Sequence, residues 1–249
     1  MNKAIAQSEL AWQTSGLRSG YGRGDDIVRG VDLAQKPDTI LGVFGPNGSG
    51  KSTFIKTIAG LVTTRAGTIA IMGRQVEKLS PARRTEAGLA YVPQDKNIFA
   101  SMSVHENLLL ATEFMRGRAG VGKEREAFVL SLFPDIAQRR RLLAGYLSGG
   151  QRQMLAMACA LLSNPRVLLL DEPSAGLSPK FVDQIMEAVL QVRATGVTVV
   201  LVEQNVAAGL AVADDALILV QGQVAHQCRA KDLSLPAIES LFMNAGQAA

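Results

Sequence analysis

The sequence predicts an α/β fold in which a mostly parallel sheet has helices on both faces. Two observations support this: short aliphatic runs recur along the chain, and their apolarity is continuous rather than alternating. Continuous apolarity indicates strands that are buried on both faces, as in a parallel sheet between two layers of helices. The runs are Ile40–Phe44, Leu89–Val92, Val167–Leu170, Val197–Val202 and Leu217–Val220.

A central stretch, 94–164, has a different character, because helix-forming residues there place apolar side chains three and four positions apart. This spacing predicts an all-helical segment inserted between the two parts of the α/β core. Its predicted helices, separated at Gly117–Gly122 and at Pro134, are Val104–Met115, Glu124–Leu132 and Gln151–Leu162.

Near the N-terminus, three less apolar stretches predict an antiparallel β flank on the core: Leu10–Leu17, Ile27–Leu33 and Thr68–Met72. A chain of 249 residues can bury one substantial core. We therefore expect a single domain, 1–249, in which 1–93 and 165–249 form the core with its β flank and 94–164 forms a helical subdomain. The final residues, 244–249, are expected to be a frayed tail.

Composition and charge exclude several classes of protein. Hydrophobic residues make up 47% and charged residues 19% of the chain, which is typical of a folded protein rather than a disordered one. Lys and Arg number 26 against 22 Asp and Glu, and this excess gathers only at Arg139–Arg141. So short a basic run favours a solvated helix end over a nucleic-acid surface, and no nucleic-acid partner is predicted.

The cysteines and the apolar runs bear on the compartment. Cys159 and Cys228 are far apart, with neither a second thiol nor a histidine near them at metal-ligand spacing. This pattern predicts neither a zinc site nor a disulfide and fits a reducing compartment. The N-terminus lacks the apolar core of a signal peptide, and the longest apolar run, Met154–Leu162, is about half of what spanning a bilayer requires. We expect a cytosolic chain that reaches a membrane only through a partner.

A glycine-rich loop follows the strand ending at Phe44 and leads into the helical stretch Phe54–Gly60. It matches the phosphate-binding pattern G-x-x-x-x-G-K-[ST] in the required strand–loop–helix context, which predicts a P-loop NTPase core. Its glycines let N–H groups point at phosphate oxygens, Lys51 would reach the β- and γ-phosphates, and Ser52 would bind Mg²⁺. The alternative is an ordinary Gly-rich turn with a solvated lysine. The candidate residues are Gly45, Pro46, Asn47, Gly48, Ser49, Gly50, Lys51, Ser52 and Thr53.

Two adjacent carboxylates close a later buried run. Asp171 follows Leu170, where a parallel strand delivers its last residue to a phosphate crevice, and Glu172 comes next. Neighbouring strand residues point to opposite sides, so Asp171 can serve Mg²⁺ while Glu172 faces the γ-phosphate and polarises an attacking water. Without the phosphate loop, an Asp-Glu-Pro turn would indicate only a strand exit.

The segment Leu147-Ser148-Gly149-Gly150-Gln151, between the loop and the Asp171 strand, resembles the signature of ATP-binding cassette proteins. Ser148, Gly149, Gly150 and Gln151 open a helix, which makes a second anion cradle. The resemblance implies a single ATP-binding cassette domain with ATP and Mg²⁺ as its cofactors. It also implies that two cassettes pack head to tail, each signature completing the ATP site of the other.

The same resemblance extends over nearly the whole chain and implies further roles. Tyr21 corresponds to the aromatic residue that stacks on adenine, and Gln94 to the glutamine that contacts Mg²⁺ and reports to the transporter. The loop Ser174–Ser178 corresponds to the one that crosses the dimer interface. Taken alone, Tyr21 could be an ordinary surface aromatic and Gln94 an ordinary loop residue.

The sequence departs from the family pattern at three places. Gln204 stands where most cassettes have a histidine that contacts the γ-phosphate. Its amide can donate a hydrogen bond to phosphate but cannot accept and carry a proton at neutral pH. We therefore interpret Gln204 as a γ-phosphate sensor and Glu172 as the base. Cys159 replaces a usual arginine, and Pro37-Asp38 replaces Gly-Glu, which puts activity as a homodimer in question.

The string Val202–Asn205, with Leu132–Pro134 and Ser163–Arg166, resembles ATPase subunits of branched-chain amino acid importers and their urea and amide relatives. The implied partners are a second ATPase subunit, copy or paralogue, transmembrane permease subunits and, indirectly, a periplasmic or extracellular solute-binding protein. The implied location is peripheral, at the cytoplasmic face of the membrane. Ile98, Phe99 and Met102 would line a groove for a permease helix, or belong to the core. The alternative functions are a soluble cassette ATPase acting on a macromolecular complex and a regulatory nucleotide-binding subunit.

Overall fold

The computed structural model describes residues 10–113 and 123–246, in which ten strands and nine α-helices form. The strands are β1 (Trp12–Ser19), β2 (Val28–Gln35), β3 (Ile40–Phe44), β4 (Thr64–Ile71), β5 (Arg74–Gln75), β6 (Leu89–Val92), β7 (Val167–Asp171), β8 (Thr198–Val202), β9 (Asp215–Val220) and β10 (Gln223–Arg229). The helices are α1 (Lys51–Ala59), α2 (Pro81–Glu86), α3 (Val104–Glu113), α4 (Lys123–Leu132), α5 (Pro134–Ala137), α6 (Gly149–Leu161), α7 (Pro179–Ala194), α8 (Val206–Val212) and α9 (Leu235–Gly246).

The central sheet has six strands in the order β10-β9-β3-β8-β7-β6. β9, β3, β8, β7 and β6 are parallel, and β10 pairs antiparallel with β9. Every residue of β3, β7 and β8 is buried, which explains why these strands are almost continuously apolar. β8 lies between the strand that precedes the glycine-rich loop and the strand that ends at Asp171.

A second sheet covers one face of the first. Its four strands are in the order β2-β1-β4-β5, and all its pairs are antiparallel, so the predicted flank is confirmed. Trp12 and Leu17 of β1 pack in one cluster with Phe54 of α1 and with Leu217 of the central sheet. The helix that follows the glycine-rich loop is thus held between the two sheets.

Helices cover the opposite face of the central sheet. Leu168 of β7 and Leu201 of β8 share one hydrophobic cluster with Leu155 of α6 and Ile185 of α7. Buried residues of the helical segment, among them Val104 and Val129, belong to the same cluster. The inserted helices are therefore joined to the sheet through α6 and α7.

Some predicted element ends are wrong. The helix after the glycine-rich loop begins at Lys51, not Phe54, because Gly50 in a left-handed conformation already serves as its N-cap. The helix after the signature begins at Gly149, because Ser148 caps it. Pro134, predicted to interrupt the helices, does follow the end of α4 but also starts the short helix α5, since proline suits a first helical position.

Other differences lie near the ends of the described ranges. Residues 244–246, predicted as part of a tail, belong to α9. The predicted helix end at Met115, the break at Gly117–Gly122 and the last tail residues, 247–249, lie outside the described residues. The basic triplet lies just beyond α5, and its Arg140 pairs with Glu126 of α4. Across the two described ranges, no helix combines the length and the apolarity needed to cross a bilayer; the longest, α7, has 16 residues.

Candidate nucleotide site

Four neighbouring parallel strands, β3, β8, β7 and β6, end on the same side of the sheet. The residues that follow them are those singled out by the sequence: the glycine-rich loop after β3, Gln204 after β8, Glu172 after β7 and Gln94 after β6. The crevice beyond the carboxyl ends of parallel strands is where α/β sheets bind ligands. The fold therefore brings these segments to one place.

The backbone of the loop requires its glycines. Gly48 and Gly50 have φ angles of 79° and 97°, a left-handed region that other residues seldom adopt. A Cβ atom on Gly45 would lie 2.1 Å from the carbonyl oxygen of Leu219, at the end of β9. The loop thus wraps closely against the sheet and directs main-chain N–H groups outward at the start of α1.

Lys51 is buried inside this loop. Its Nζ donates hydrogen bonds to the carbonyl oxygens of Gly45 at 2.8 Å and of Pro46 at 3.1 Å. Burial lowers the pKa of Lys51, while Glu172 and Asp171 oppose that shift. The side chain places a positive charge at the centre of the cradle.

The hydroxyl of Ser49 is consistent with an anion at this loop. This hydroxyl is buried and, among the residues that the structure describes, has no hydrogen-bond partner. A buried polar atom without a partner is costly, and a phosphate oxygen at this position would accept its hydrogen bond.

The loop opens onto a cleft of about 410 Å³. Residues 47–53, Ile27 and Glu172 line it, so the proposed base and the phosphate loop share one cavity. Tyr21 lies in the loop between β1 and β2 with 54% of its surface exposed, and Arg65 donates to its main-chain oxygen at 3.2 Å. Its stacking on adenine stays a prediction.

The predicted metal ligands meet at the end of β7. Ser52 Oγ donates to Asp171 Oδ1 at 3.3 Å, and the hydroxyl of Tyr91 donates to Asp171 Oδ2 at 3.0 Å. Gln94 Nε2 donates to Glu172 Oε2 at 3.2 Å, so Gln94 is also within reach of the site. These hydroxyl, carboxylate and amide oxygens suit Mg²⁺, and with so few protein ligands the ion would also bind phosphate oxygens. The described residues contain no group of three or more His, Cys, Asp or Glu side chains able to hold a metal by themselves.

Tyr91 was not predicted as a site residue. Burial raises the pKa of Tyr91 far above its ordinary value, and the charge of Asp171 adds to this, so the phenol stays a donor. Tyr91 stands three residues before the predicted Gln94, but the sequence does not show its contact with Asp171. That contact depends on the pairing of β6 with β7.

Glu172 lies in a strained turn. Its φ is 48°, in the left-handed region that is uncommon for such a residue. Its N–H donates to the carbonyl oxygen of Val202 at 2.9 Å, which ties the turn to the end of β8. Asp171 is buried and Glu172 is partly exposed to the cleft, as expected if one holds a metal ion and the other faces water.

The residues after β8 include a carboxylate that sequence reasoning missed. Gln204 is exposed, whereas Glu203 is only 1% exposed. Glu203 accepts hydrogen bonds from the N–H of Ser174 at 3.0 Å and from its hydroxyl at 2.8 Å. Glu203 stood in the Val202–Asn205 string, but nothing in that string indicated burial.

The signature forms a complete capping box. Ser148 Oγ accepts from the N–H of Gln151, whose side-chain oxygen accepts from the N–H of Ser148. Its glycines also have a packing reason, because a Cβ on Gly149 would meet Leu177 at 2.8 Å and one on Gly150 would meet Phe181 at 2.5 Å. Gly149 lines a separate cleft of about 220 Å³ that also contains Gln94 and residues 175–177.

Two of the three departures from the family pattern, Cys159 and Pro37-Asp38, lie away from the cleft, whereas the third, Gln204, follows β8 at the site. Cys159 is on α6 and packs against the hydrophobic cluster; burial raises the pKa of its thiol to about 12, so it stays protonated. Asp38 occupies a turn with φ 59°, and its N–H donates to Thr198 Oγ1 at 3.1 Å.

Comparisons with known proteins agree with this geometry. Residues 28–175 match the model of the ABC transporter family. The chain is 43% identical over 222 residues to the probable branched-chain amino acid transport ATP-binding protein LivF of Archaeoglobus fulgidus, covering 89% of this chain and 93% of the relative. It is 36% identical to the high-affinity branched-chain amino acid transport ATP-binding protein BraG of Pseudomonas aeruginosa, covering 86% and 91%. The lipopolysaccharide export system ATP-binding protein LptB of Escherichia coli is 34% identical, with 82% and 85% covered.

Solved structures give the same fold. The ADP conformation of the ATP-binding cassette MJ1267 superposes with a TM-score of 0.82 at 25% identity, covering 94% of this chain and 98% of that one. A dimeric structure of the bacterial ABC transporter cassette MJ0796 superposes with a TM-score of 0.77 at 25% identity, covering 88% and 98%. With the phosphate loop, the paired carboxylates and the signature in their places, the chain belongs to the ATP-binding cassette family of transporter ATPases.

Proposed function

We propose that the chain hydrolyses Mg-ATP to drive uptake of branched-chain amino acids or related small polar solutes through a membrane permease. The observation that supports hydrolysis most strongly is that Glu172 lines the same cleft as residues 47–53 of the phosphate loop, whereas the substrate class rests on the likeness to LivF and BraG. A base and an anion cradle in one cavity suit phosphoryl transfer to water.

The side chains have distinct roles in this proposal. Lys51 holds the β- and γ-phosphates and neutralises the charge that develops on the leaving group. Glu172 accepts a proton from the attacking water, and Gln204 donates a hydrogen bond to the γ-phosphate. Ser52, Asp171 and Gln94 would hold Mg²⁺, which would supply positive charge at the phosphates. Tyr21 stacks on the adenine.

A second cassette completes the site. Within one chain Gly149 of the signature lines a cleft other than that of the phosphate loop, and we propose that Ser148, Gly149, Gly150 and Gln151 bind a nucleotide held by a partner. The dimeric cassette structure of MJ0796 supports such an arrangement. The partner is a copy or a paralogue.

An apolar surface is suited to the permease. Phe99, Leu143 and Tyr146 are 58%, 41% and 76% exposed. Their loops are joined, because the N–H of Gly145 donates to the carbonyl oxygen of Ala100 at 2.9 Å. Ile98 instead packs against the core, as the alternative interpretation expects. We propose that a permease helix binds this surface, which places the chain peripherally at the cytoplasmic face of the membrane and a solute-binding protein on the other side.

In this proposal the two parts of the chain have different functions. The core with its β flank, 1–93 and 165–249, binds nucleotide, and the helical segment, 94–164, passes the opening and closing of the dimer to the permease.

Two measurements test the proposal. A strain lacking the gene, complemented with native protein or with Lys51→Ala, is assayed for uptake of leucine, isoleucine, valine and urea. Restored uptake only with native protein supports it. Normal uptake in the deletion strain, with loss of lipopolysaccharide export instead, would contradict the substrate class.

The second measurement separates the alternatives. Turnover of Mg-ATP by the purified chain, together with recovery of permease subunits from detergent-solubilised membranes, supports a transport ATPase. Turnover with recovery of a soluble complex alone would indicate the macromolecular alternative, and nucleotide binding without turnover would indicate a regulatory subunit.

A further inference from the structure

Glu203 is a buried carboxylate for which the proposed reaction has no role. It is only 1% exposed, and the groups that donate to it are uncharged: the N–H and the hydroxyl of Ser174 and, at 3.4 Å, the N–H of Asn205. Burying a carboxyl group among neutral partners costs free energy, and an apolar side chain of similar size would avoid that cost. Because Glu203 is present in spite of this cost, its contacts indicate a functional role.

The first contact is with the turn of Glu172. This turn is tied to the end of β8 at two points: the N–H of Glu172 donates to Val202, and both donors of Ser174 bind the Glu203 carboxylate. Since Glu172 has a left-handed backbone, surrounding contacts must hold the turn in that conformation. Glu203 supplies the second of these ties.

The second contact is with the strand that leads to the phosphate loop. The N–H of Glu203 donates to the carbonyl oxygen of Val43 at 3.2 Å, one residue before the end of β3. The next residue, Gln204, is the proposed γ-phosphate sensor. One residue thus contacts the base-bearing turn through its side chain, and the phosphate-loop strand and the sensor through its backbone.

We infer that Glu203 is a positioning residue that fixes Glu172 relative to Gln204 and the phosphate loop. The inference rests on the proposed roles of Glu172 and Gln204. Catalysis by a base depends on placement to within about 1 Å, so loosening the turn lowers turnover more than it lowers nucleotide affinity. Because Ser174 begins the loop that faces the partner cassette by family resemblance, the same tie also holds that loop.

The test compares Glu203→Leu, which removes the acceptors at similar volume, with Glu203→Gln, whose amide can accept from the N–H of Ser174 and donate to its hydroxyl. Thr198→Val is the matched control. Thr198 is 1% exposed at the start of β8, the strand that ends just before Glu203, and its hydroxyl accepts a hydrogen bond from the N–H of Asp38. A purely structural effect of losing a buried polar contact at an end of β8 would appear in both Glu203→Leu and Thr198→Val.

The full-length purified variants are assayed for kcat and KM with Mg-ATP, and for amide hydrogen exchange in peptides covering 172–177 and 203–205. We expect kcat to fall about tenfold or more in Glu203→Leu with KM changed less than about threefold, and near-native values in Glu203→Gln and Thr198→Val. Exchange should speed up in both peptides for Glu203→Leu only. Native kcat in Glu203→Leu, or an equal loss in Thr198→Val, would overturn the inference.

Two further variants keep the result decisive. If Glu203→Leu does not fold, Ser174→Ala removes the hydroxyl that donates to Glu203, and an unchanged kcat there overturns the inference. Glu172→Gln is measured alongside: native turnover in that variant rejects the proposed base, whereas loss of turnover there with native turnover in Glu203→Leu rejects only the positioning role.

Discussion

At the scale of single residues, the site depends on side chains that neighbouring strands bring within hydrogen-bond distance. One carboxylate oxygen of Asp171 accepts a hydrogen bond from the hydroxyl of Ser52, and the other accepts one from the hydroxyl of Tyr91. Ser52 and Asp171 were predicted because each belongs to a sequence motif whose residues bind nucleotide or metal. Tyr91 and Glu203 were not, because their importance comes from contacts across strands rather than from their own position in the sequence.

The hydroxyl of Tyr91 is expected to orient Asp171 for the metal. In Tyr91→Phe that hydroxyl is absent, so the carboxylate is less well held, and we expect affinity for the divalent ion to fall about tenfold, as for other partners of metal ligands. Mn²⁺ binding in the presence of ATP, followed by electron paramagnetic resonance, measures this directly. Affinity for ATP in the presence of EDTA should stay native; equal Mn²⁺ affinity in the two proteins would contradict the prediction.

Replacing Glu172 tests the base itself. Glu172→Gln keeps the size of the side chain but accepts no proton, so kcat should fall roughly 10²-fold or more while Mg-ATP still binds. Turnover with radiolabelled ATP and equilibrium binding of a fluorescent ATP analogue give the two values. Similar turnover in mutant and native protein would reject this role.

Burial raises the pKa of Glu203 above its ordinary value of 4.5, the donors from Ser174 and Asn205 oppose the shift, and the nearby charge of Glu172 adds to it. The folded state therefore holds this proton more tightly than the unfolded state. Its stabilising contribution is complete below the unfolded pKa and is lost as pH rises through the folded pKa. We expect the free energy of unfolding of the native protein, relative to Glu203→Gln, to fall as pH rises above 4.5, as measured by urea unfolding. A difference that is constant with pH would exclude this titration.

At the scale of elements, the position of each strand end decides the site. The buried runs of β3 and β6 were predicted with their exact bounds, because continuous apolarity ends where the chain turns. β5, β10 and helices α2, α5, α7, α8 and α9 were not predicted. The two strands are short or exposed and α5 has a single turn, whereas α7 does bury apolar residues at helical spacing, among them Val182, Ile185 and Val189.

The C-terminal end of α1 is stabilised by one buried charged residue, Arg84. The guanidinium of Arg84, 2% exposed, donates to the carbonyl oxygens of Thr57 at 2.7 Å and Ile58 at 2.8 Å, which lie in the last turn of α1. A cation there also favours the helix dipole. We expect Arg84→Met to lower the free energy of unfolding by about 2–4 kcal/mol, because these acceptors stay buried.

Arg83, on the same helix, is the control. It is largely exposed and pairs with Glu86, so Arg83→Met should change stability by less than about 1 kcal/mol. Chemical unfolding of the two variants gives the comparison, and equal effects would show that the contacts of Arg84 with α1 add little.

At the scale of the whole molecule, the two clefts predict a dimer that depends on nucleotide. The phosphate loop lines one cleft and Gly149 of the signature lines another, and we expect a second chain to bring its signature to the nucleotide that the first chain holds. The second anion cradle already predicted two chains, and the family resemblance added their head-to-tail packing. Whether the partner is a copy or a paralogue depends on the surfaces that the two chains bring into contact, and these are not encoded in a short sequence motif.

The dimer can be tested with a charge placed in the signature. In a Glu172→Gln background, ATP should shift the chain to a dimer in gel filtration with light scattering, and ADP should not. Adding Ser148→Glu puts a negative charge opposite the γ-phosphate and should abolish the dimer while each monomer still binds Mg-ATP. A dimer in spite of this charge would contradict the head-to-tail arrangement.

The order of the sheet gives the four parts of the site unequal freedom. β3, β8 and β7 each have a strand on both sides, whereas β6, which leads to Gln94, is the outermost strand of the described sheet and pairs only with β7. Moving its end breaks ladder hydrogen bonds on one side only, fewer than the same movement of β3, β8 or β7 would break. The chain continues from Gln94 through a loop to the first inserted helix at Val104, so we expect shifts of those helices to be felt first at this margin of the sheet, next to the predicted metal ligands.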